Sequence, residues 1–96
     1  MSKRRVVVTG IGIVSPVGND LDSSWKNIVN GVSGIDHITM FDATNYATKF
    51  AGEVKNFSTE GFFDAKEARR TDRFIQLGVV AGVQAIRDSG IDEMTD

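Results

Sequence analysis

The feature that most restricts the fold is the stretch Arg4-Arg5-Val6-Val7-Val8-Thr9-Gly10-Ile11-Gly12-Ile13-Val14-Ser15-Pro16-Val17-Gly18. Three consecutive valines predict a strand buried on both faces, of the kind found mostly in parallel sheets covered by helices. An α/β architecture follows. Gly10 and Gly12 permit a tight or positive-φ exit, and Ser15-Pro16 ends any regular central strand because proline donates no ladder hydrogen bond.

Beyond this turn, Leu21, Trp25, Ile28, Val29 and Val32 recur at i, i+4, i+7, i+8 and i+11. They predict a short amphipathic helix with Asp20 or Asp22 as N-cap, Asn30-Gly31 as its stop and Trp25 in the core. Ser33 to Ala47 has no period and reads as a structured loop. Phe50-Ala51-Gly52-Glu53-Val54-Lys55 alternates as a second short strand, and Ser58 or Thr59 caps a turn leading to Phe62-Phe63. Asp64 with Glu67 three residues on resembles a capping box that opens a long helix to Ser89-Gly90, with a potential break near Thr71-Asp72.

Within that helix, Leu77 to Ile86 is apolar nearly all round, with Gly78 and Gly82 four residues apart. Such a helix must be buried in something large. A chain of 96 residues with two short strands and one short helix offers little cover. The end at Glu93-Met94-Thr95-Asp96 offers no packing element either, so the sequence reads as part of a larger protein.

Bulk composition removes several function classes. With 41% hydrophobic and 25% charged residues the chain is of ordinary soluble, globular type, one domain at most. A net charge of -2 points to no nucleic-acid or membrane-surface partner, so charged recognition must come from a local patch. Zero cysteines exclude disulfides, thiolate metal sites and cysteine nucleophiles among these residues. The basic start Met1-Ser2-Lys3-Arg4-Arg5 lacks the sustained apolar segment of a signal peptide, and no apolar run approaches the ~20 residues of a membrane helix. A cytoplasmic location is expected.

Few residues carry chemistry. Gly10-Ile11-Gly12-Ile13-Val14-Ser15 falls short of the dinucleotide fingerprint, which needs a third glycine where Ser15-Pro16 stands and a helix directly after it. His37, the only histidine, sits in a polar loop without a companion ligand set, and Asp36 and Asp42 show no EF-hand or zinc spacing. No cofactor or metal site is expected. Trp25, Phe62, Phe63 and Phe74 read as core aromatics rather than a stacking platform. Lys66, Arg69, Arg70 and Arg73 lie at i, i+3, i+4 and i+7, a basic stripe on an acidic chain. From spacing alone it is either a solvated face softened by Glu67 and Asp72, or a docking surface for an acidic partner.

Taken together, Arg4 to Gly12 with Ser15-Pro16-Val17-Gly18 resembles the opening of the β-ketoacyl-[acyl-carrier-protein] synthases. Gly31-Val32-Ser33-Gly34-Ile35, Phe41-Asp42, Tyr46 to Gly52, Asp72-Arg73-Phe74-Ile75-Gln76, Ala81-Gly82 and Asp88-Ser89-Gly90 extend the resemblance over the whole chain. The Tyr46 to Gly52 segment most resembles the type II branch, which elongates longer acyl chains; polyketide ketosynthases share the opening.

The resemblance implies an N-terminal fragment, residues 1–96, of the first half of a thiolase-like layered α/β/α/β/α fold that works as a homodimer. It implies decarboxylative Claisen condensation of an acyl-enzyme thioester with malonyl-carrier protein, by a cysteine and two histidines that come later in family members. A cysteine at a helix N-terminus suits that task because the dipole favours the thiolate. No catalytic residue is therefore expected here, and His37 matches neither family histidine. What the resemblance carries over is the cationic face, Lys66, Arg69 and Arg70, as the contact for the acidic recognition helix of acyl carrier protein; Arg73 falls at a variable position. Two other readings stay open, a polyketide-type ketosynthase portion and a free-standing, non-catalytic binding module.

Overall fold

The computed structural model describes residues 3–91. The missing packing element expected at Glu93-Met94-Thr95-Asp96 falls outside that range. In chain order the elements are α1 (Leu21–Val29), β1 (Ile35–His37), β2 (Phe50–Gly52), α2 (Ala65–Arg70) and α3 (Arg73–Ser89).

Both ends of α1 follow from local chemistry. Asp20 has extended backbone, and its carboxylate accepts the Ser23 N–H at 2.9 Å and the Ser23 hydroxyl at 2.6 Å. This satisfies one of the orphan donors of the first turn, so Asp20 rather than Asp22 is the cap. At the other end the Val32 N–H donates to Asn27 O at 2.9 Å and the Gly31 N–H to Ile28 O at 3.1 Å, a Schellman motif. Gly31 adopts φ +70°, where a side chain is strained, so glycine is required there by backbone conformation.

The Ser23 hydroxyl, followed by the Ser23 N–H, holds the Asp20 carboxyl below its ordinary value of 3.8. A carboxyl depressed in the folded state contributes stability above its unfolded pKa and loses it as pH falls through the lower folded value. Asp20→Ala is expected to weaken α1 by about 1 kcal/mol at neutral pH. That deficit should start to narrow as pH falls past 3.8 and close once it has passed the lower folded value, where the wild-type cap is protonated. NMR titration of the Asp20 carboxyl checks this; a midpoint at or above the ordinary value would contradict it.

β1 and β2 form an antiparallel pair with Ile35 opposite Gly52, Asp36 opposite Ala51 and His37 opposite Phe50. β1 lies inside the segment read as loop, because three residues centred on Asp36 carry too little alternation to signal a strand. Glu53 fastens the connection: its carboxylate accepts the Thr39 hydroxyl at 2.8 Å and the N–H groups of Thr39 and Met40 at 3.1 Å. The Thr39 hydroxyl is the main reason that this carboxyl lies below the usual glutamate value.

The long helix is broken where a break was foreseen. Thr71 and Asp72 both take extended backbone between α2 and α3. The carbonyls orphaned at the end of α2 find side-chain partners: the Thr71 hydroxyl donates to Glu67 O at 2.6 Å, and the Gln76 amide donates to Ala68 O at 2.8 Å and Thr71 O at 3.2 Å. At its far end α3 closes on Gly90 at φ +72°.

Two expectations about the opening stretch are corrected. Val6 to Val8 form no strand among the described residues, and Val6 and Val8 are 94% and 81% exposed. A strand needs hydrogen-bonding neighbours, and no other described segment lies beside this one as a partner. Gly10 and Gly12 are likewise not positive-φ hinges; the positive-φ glycines are Gly31, Gly61 and Gly90. They are notches where the chain runs against α3. A Cβ on Gly12 would lie 1.9 Å from Ala81 O and 2.7 Å from Ala85 N, and one on Gly10 would lie 2.3 Å from Ala85 O. Side chains of α3 then take the place of a neighbouring strand: the Asp88 carboxylate accepts the Ile11 N–H at 3.0 Å, and Gln84 Oε1 accepts the Ile13 N–H at 3.1 Å.

Among the described residues the fully buried hydrophobic side chain is Val80, at 2% exposure. Trp25 and Phe74, expected in the core, are 63% and 71% exposed, whereas Phe62 and Phe63 are half-buried. The Cα radius of gyration is 17.2 Å, against about 12–13 Å for a compact domain of this length. The apolar side of α3 is what these dimensions leave uncovered, with Phe74, Ile75, Val79 and Ile86 all exposed.

Candidate functional site

α2 is the element that presents the cations. Asp64 caps it by accepting the Glu67 N–H at 2.7 Å, and this bond is the main cause of a carboxyl held below its ordinary value. Glu67 is pushed the other way, chiefly through its side-chain hydrogen bond with Asp64 and then by the negative charge of that neighbour. The acidic residues sit in the first turn and Arg69 and Arg70 in the last, the arrangement that the helix dipole favours.

Lys66, Arg69 and Arg70 are all exposed, and their i, i+3, i+4 spacing places them on one side of the short helix. Arg73 does not continue this face. The extended backbone at Thr71 and Asp72 starts a new helix, and the Arg73 guanidinium instead donates to Val54 O at 3.3 Å and lies 5.5 Å over the Phe57 ring. Arg87 acts similarly further along α3, donating to Gly61 O at 3.5 Å and sitting 5.0 Å over Phe62. Both arginines fasten the connection between β2 and α2 to α3. The stripe of four is therefore a face of three.

A cleft of about 320 Å³ lies between the Ser15–Gly18 turn and Lys55. The turn is closed by reciprocal backbone bonds, Ser15 N–H to Gly18 O at 2.8 Å and Gly18 N–H to Ser15 O at 3.2 Å. Ser24, 1% exposed, anchors it to α1 by donating to Gly18 O at 3.1 Å. Lys55 has a cation in this cleft, but its Nζ donates to the carbonyls of Pro16, Gly34 and Glu53 at 3.1–3.2 Å. All three donors are thus used on the chain's own backbone, and Lys55 is a tie between loops. Asn19 binds Lys55 O and Asn56 O through its Nδ2, leaving Oδ1 buried without a partner among the described residues. Sequence reading missed Lys55, Asn19, Gln84 and Asp88, because each makes at least one contact with backbone 36 to 77 residues away and no local pattern marks such a contact.

His37 is exposed on β1, beside a shallow depression that Phe41, Asp42 and Lys49 also line. Among the described residues no group of three or more histidine, cysteine or carboxylate side chains could hold a metal ion. No described helix is long and apolar enough to cross a membrane.

The family model for the N-terminal domain of β-ketoacyl synthase matches residues 3–96. The chain belongs to the β-ketoacyl synthase family. Proteins named 3-oxoacyl-[acyl-carrier-protein] synthase 2 are similar to it: those of Vibrio cholerae and Vibrio harveyi are each 56% identical over 92 residues, 96% of this chain. The protein of that name from Staphylococcus aureus strain COL is 49% identical over 89 residues, 93% of this chain. The chain spans 22% of the length of each of these relatives.

Proposed function

We propose that this chain is the N-terminal portion of a fatty-acid elongation condensing enzyme, which joins an acyl-enzyme thioester to malonyl-[acyl-carrier protein] by decarboxylative Claisen condensation. The observation that carries the reading is the 56% identity over nearly the whole chain to synthases of that name. In this proposal the complete enzyme is a thiolase-like homodimer and its cysteine and histidines lie outside these residues. The contribution of residues 3–91 is to build scaffold and to present a recognition face. Segment 10–13 laid on α3 forms the scaffold, and Lys66, Arg69 and Arg70 on α2 meet the acidic carrier protein. Exposure of all three cations on one side of α2 supports the docking role. Charges at such a rim act mainly on association rate and orientation, and their effect weakens with salt.

With no cysteine and no companion to His37, the 96-residue chain by itself is expected to form no carbon–carbon bond from acyl- and malonyl-carrier protein. A radiolabelled condensation assay on the isolated polypeptide checks this. Sustained β-ketoacyl product from it would overturn the assignment of the chemistry to residues outside this chain.

A further inference from the structure

The Schellman end of α1 holds an Asn-Gly pair, the sequence neighbours whose side-chain amide and following backbone nitrogen can react spontaneously. Of the five asparagines, Asn30 alone is followed by glycine. Both Asn30 and Gly31 are exposed, and Gly31 is at φ +70°, so the fold itself demands the residue that leaves the following backbone nitrogen unshielded. The other asparagines are hindered in identifiable ways. Asn19 spends its amide on Lys55 O and Asn56 O, and Asn27 spends its amide on Val17 O. Asn45 and Asn56 precede Tyr46 and Phe57, whose side chains crowd the attacking nitrogen.

We propose that Asn30 is a site of deamidation, gated by fraying of the last turn of α1. The Gly31 nitrogen attacks Asn30 Cγ and loses its proton as the new C–N bond forms. The bond from Cγ to the side-chain nitrogen breaks and ammonia leaves, giving a five-membered imide. Water then opens either imide carbonyl, leaving aspartate or isoaspartate at position 30. No oxidant, reductant or cofactor is needed. In the closed state the Gly31 N–H is engaged with Ile28 O at 3.1 Å, so attack waits for that terminal bond to open. Helix ends open at low free-energy cost, which makes the last turn the place where such a gate operates.

The product is not neutral for the fold. Either form puts a negative charge at the C-terminal end of α1, where the dipole disfavours it. Isoaspartate also adds a methylene to the main chain and so breaks the spacing of the two Schellman bonds. The following loop is tightly seated, since a Cβ on Gly34 would lie 2.6 Å from Pro16 Cβ, and a shift there would carry to the Ser15–Gly18 turn.

The test is incubation of the 96-residue chain in mildly alkaline buffer, followed by peptide mapping that separates asparagine, aspartate and isoaspartate at each of the five positions. A free peptide covering residues 24–36 runs alongside. Asn30 is expected to convert at least about tenfold faster than Asn45 or Asn56, a barrier difference of about 1.4 kcal/mol, and more slowly than in the free peptide, where no helix end must open. Conversion at Asn45 or Asn56 ahead of Asn30 would overturn the site. Equal rates at Asn30 in chain and peptide would overturn the gate.

Discussion

Gly12→Ala is expected to cost the complete enzyme roughly 3 kcal/mol of stability, at the upper end of what overpacking a tight site exacts. The added methyl has nowhere to go. Its nearest neighbours are Ala81 O at 1.9 Å and Ala85 N at 2.7 Å, both backbone atoms of α3, and neither can rotate aside as a side chain would. The chain must lift off the helix instead, and doing so strains the bonds from Ile11 N–H to Asp88 and from Ile13 N–H to Gln84. Denaturant unfolding of the full-length synthase measures the loss, and hydrogen exchange at the Ile11 and Ile13 amides locates it. Gly82→Ala in the 96-residue chain is a separate check on α3, because its methyl would meet open space there. There alanine should raise the helix content of α3, by up to about 1 kcal/mol of propensity. If Gly12→Ala left the midpoint unmoved, the packing of this segment on α3 could not be as described.

Reversing charge at Arg69 and Arg70 together is expected to raise the KM for carrier-protein substrates about tenfold while leaving the KM for a pantetheine analogue near its original value. Exposed ion pairs contribute up to about 1 kcal/mol each, so losing two and adding repulsion amounts to roughly the 1.4 kcal/mol that corresponds to a factor of ten. The difference should shrink as salt rises, because at physiological ionic strength exposed charges are screened beyond about 8 Å. Steady-state kinetics with both substrates at two salt concentrations gives the answer. Equal KM changes for the two substrates would remove docking from the roles of α2. Arg73→Ala should leave the carrier-protein KM alone and weaken packing instead, since its guanidinium is committed to Val54 O and Phe57.

The two outcomes bear on different layers of the same molecule. Gly12 belongs to the scaffold, where the relevant energy is steric and insensitive to salt. Arg69 and Arg70 belong to a solvated face, where the energy is coulombic and their removal is expected to leave the fold intact. A variant that confused the two, losing stability and carrier affinity together, would mean that α2 is itself part of the packed body.

Local chemistry made much of this legible from sequence. Asp20 and Asn30-Gly31 bracket α1 because capping needs only a carboxylate or a positive-φ glycine at a fixed offset from the helix. Asp64 and Glu67 mark the start of α2, and Thr71-Asp72 its separation from α3, for the same reason. The three cations of α2 were legible as well, since i, i+3, i+4 spacing fixes a common side within one turn.

Tertiary structure alone decided the rest. Whether Arg73 joined that face depended on the backbone angle at two residues, which spacing does not carry. The valines at 6–8 have the composition of a buried strand, but a strand exists only where another segment supplies its hydrogen bonds, and none of the described residues does. The sharpest case is the pair Gly10 and Gly12. As a pattern they imitate a phosphate-binding turn; their function in the fold is the absence of a side chain opposite the carbonyls of Ala81 and Ala85. That requirement comes from residues some seventy positions away, so only the packed chain reveals it.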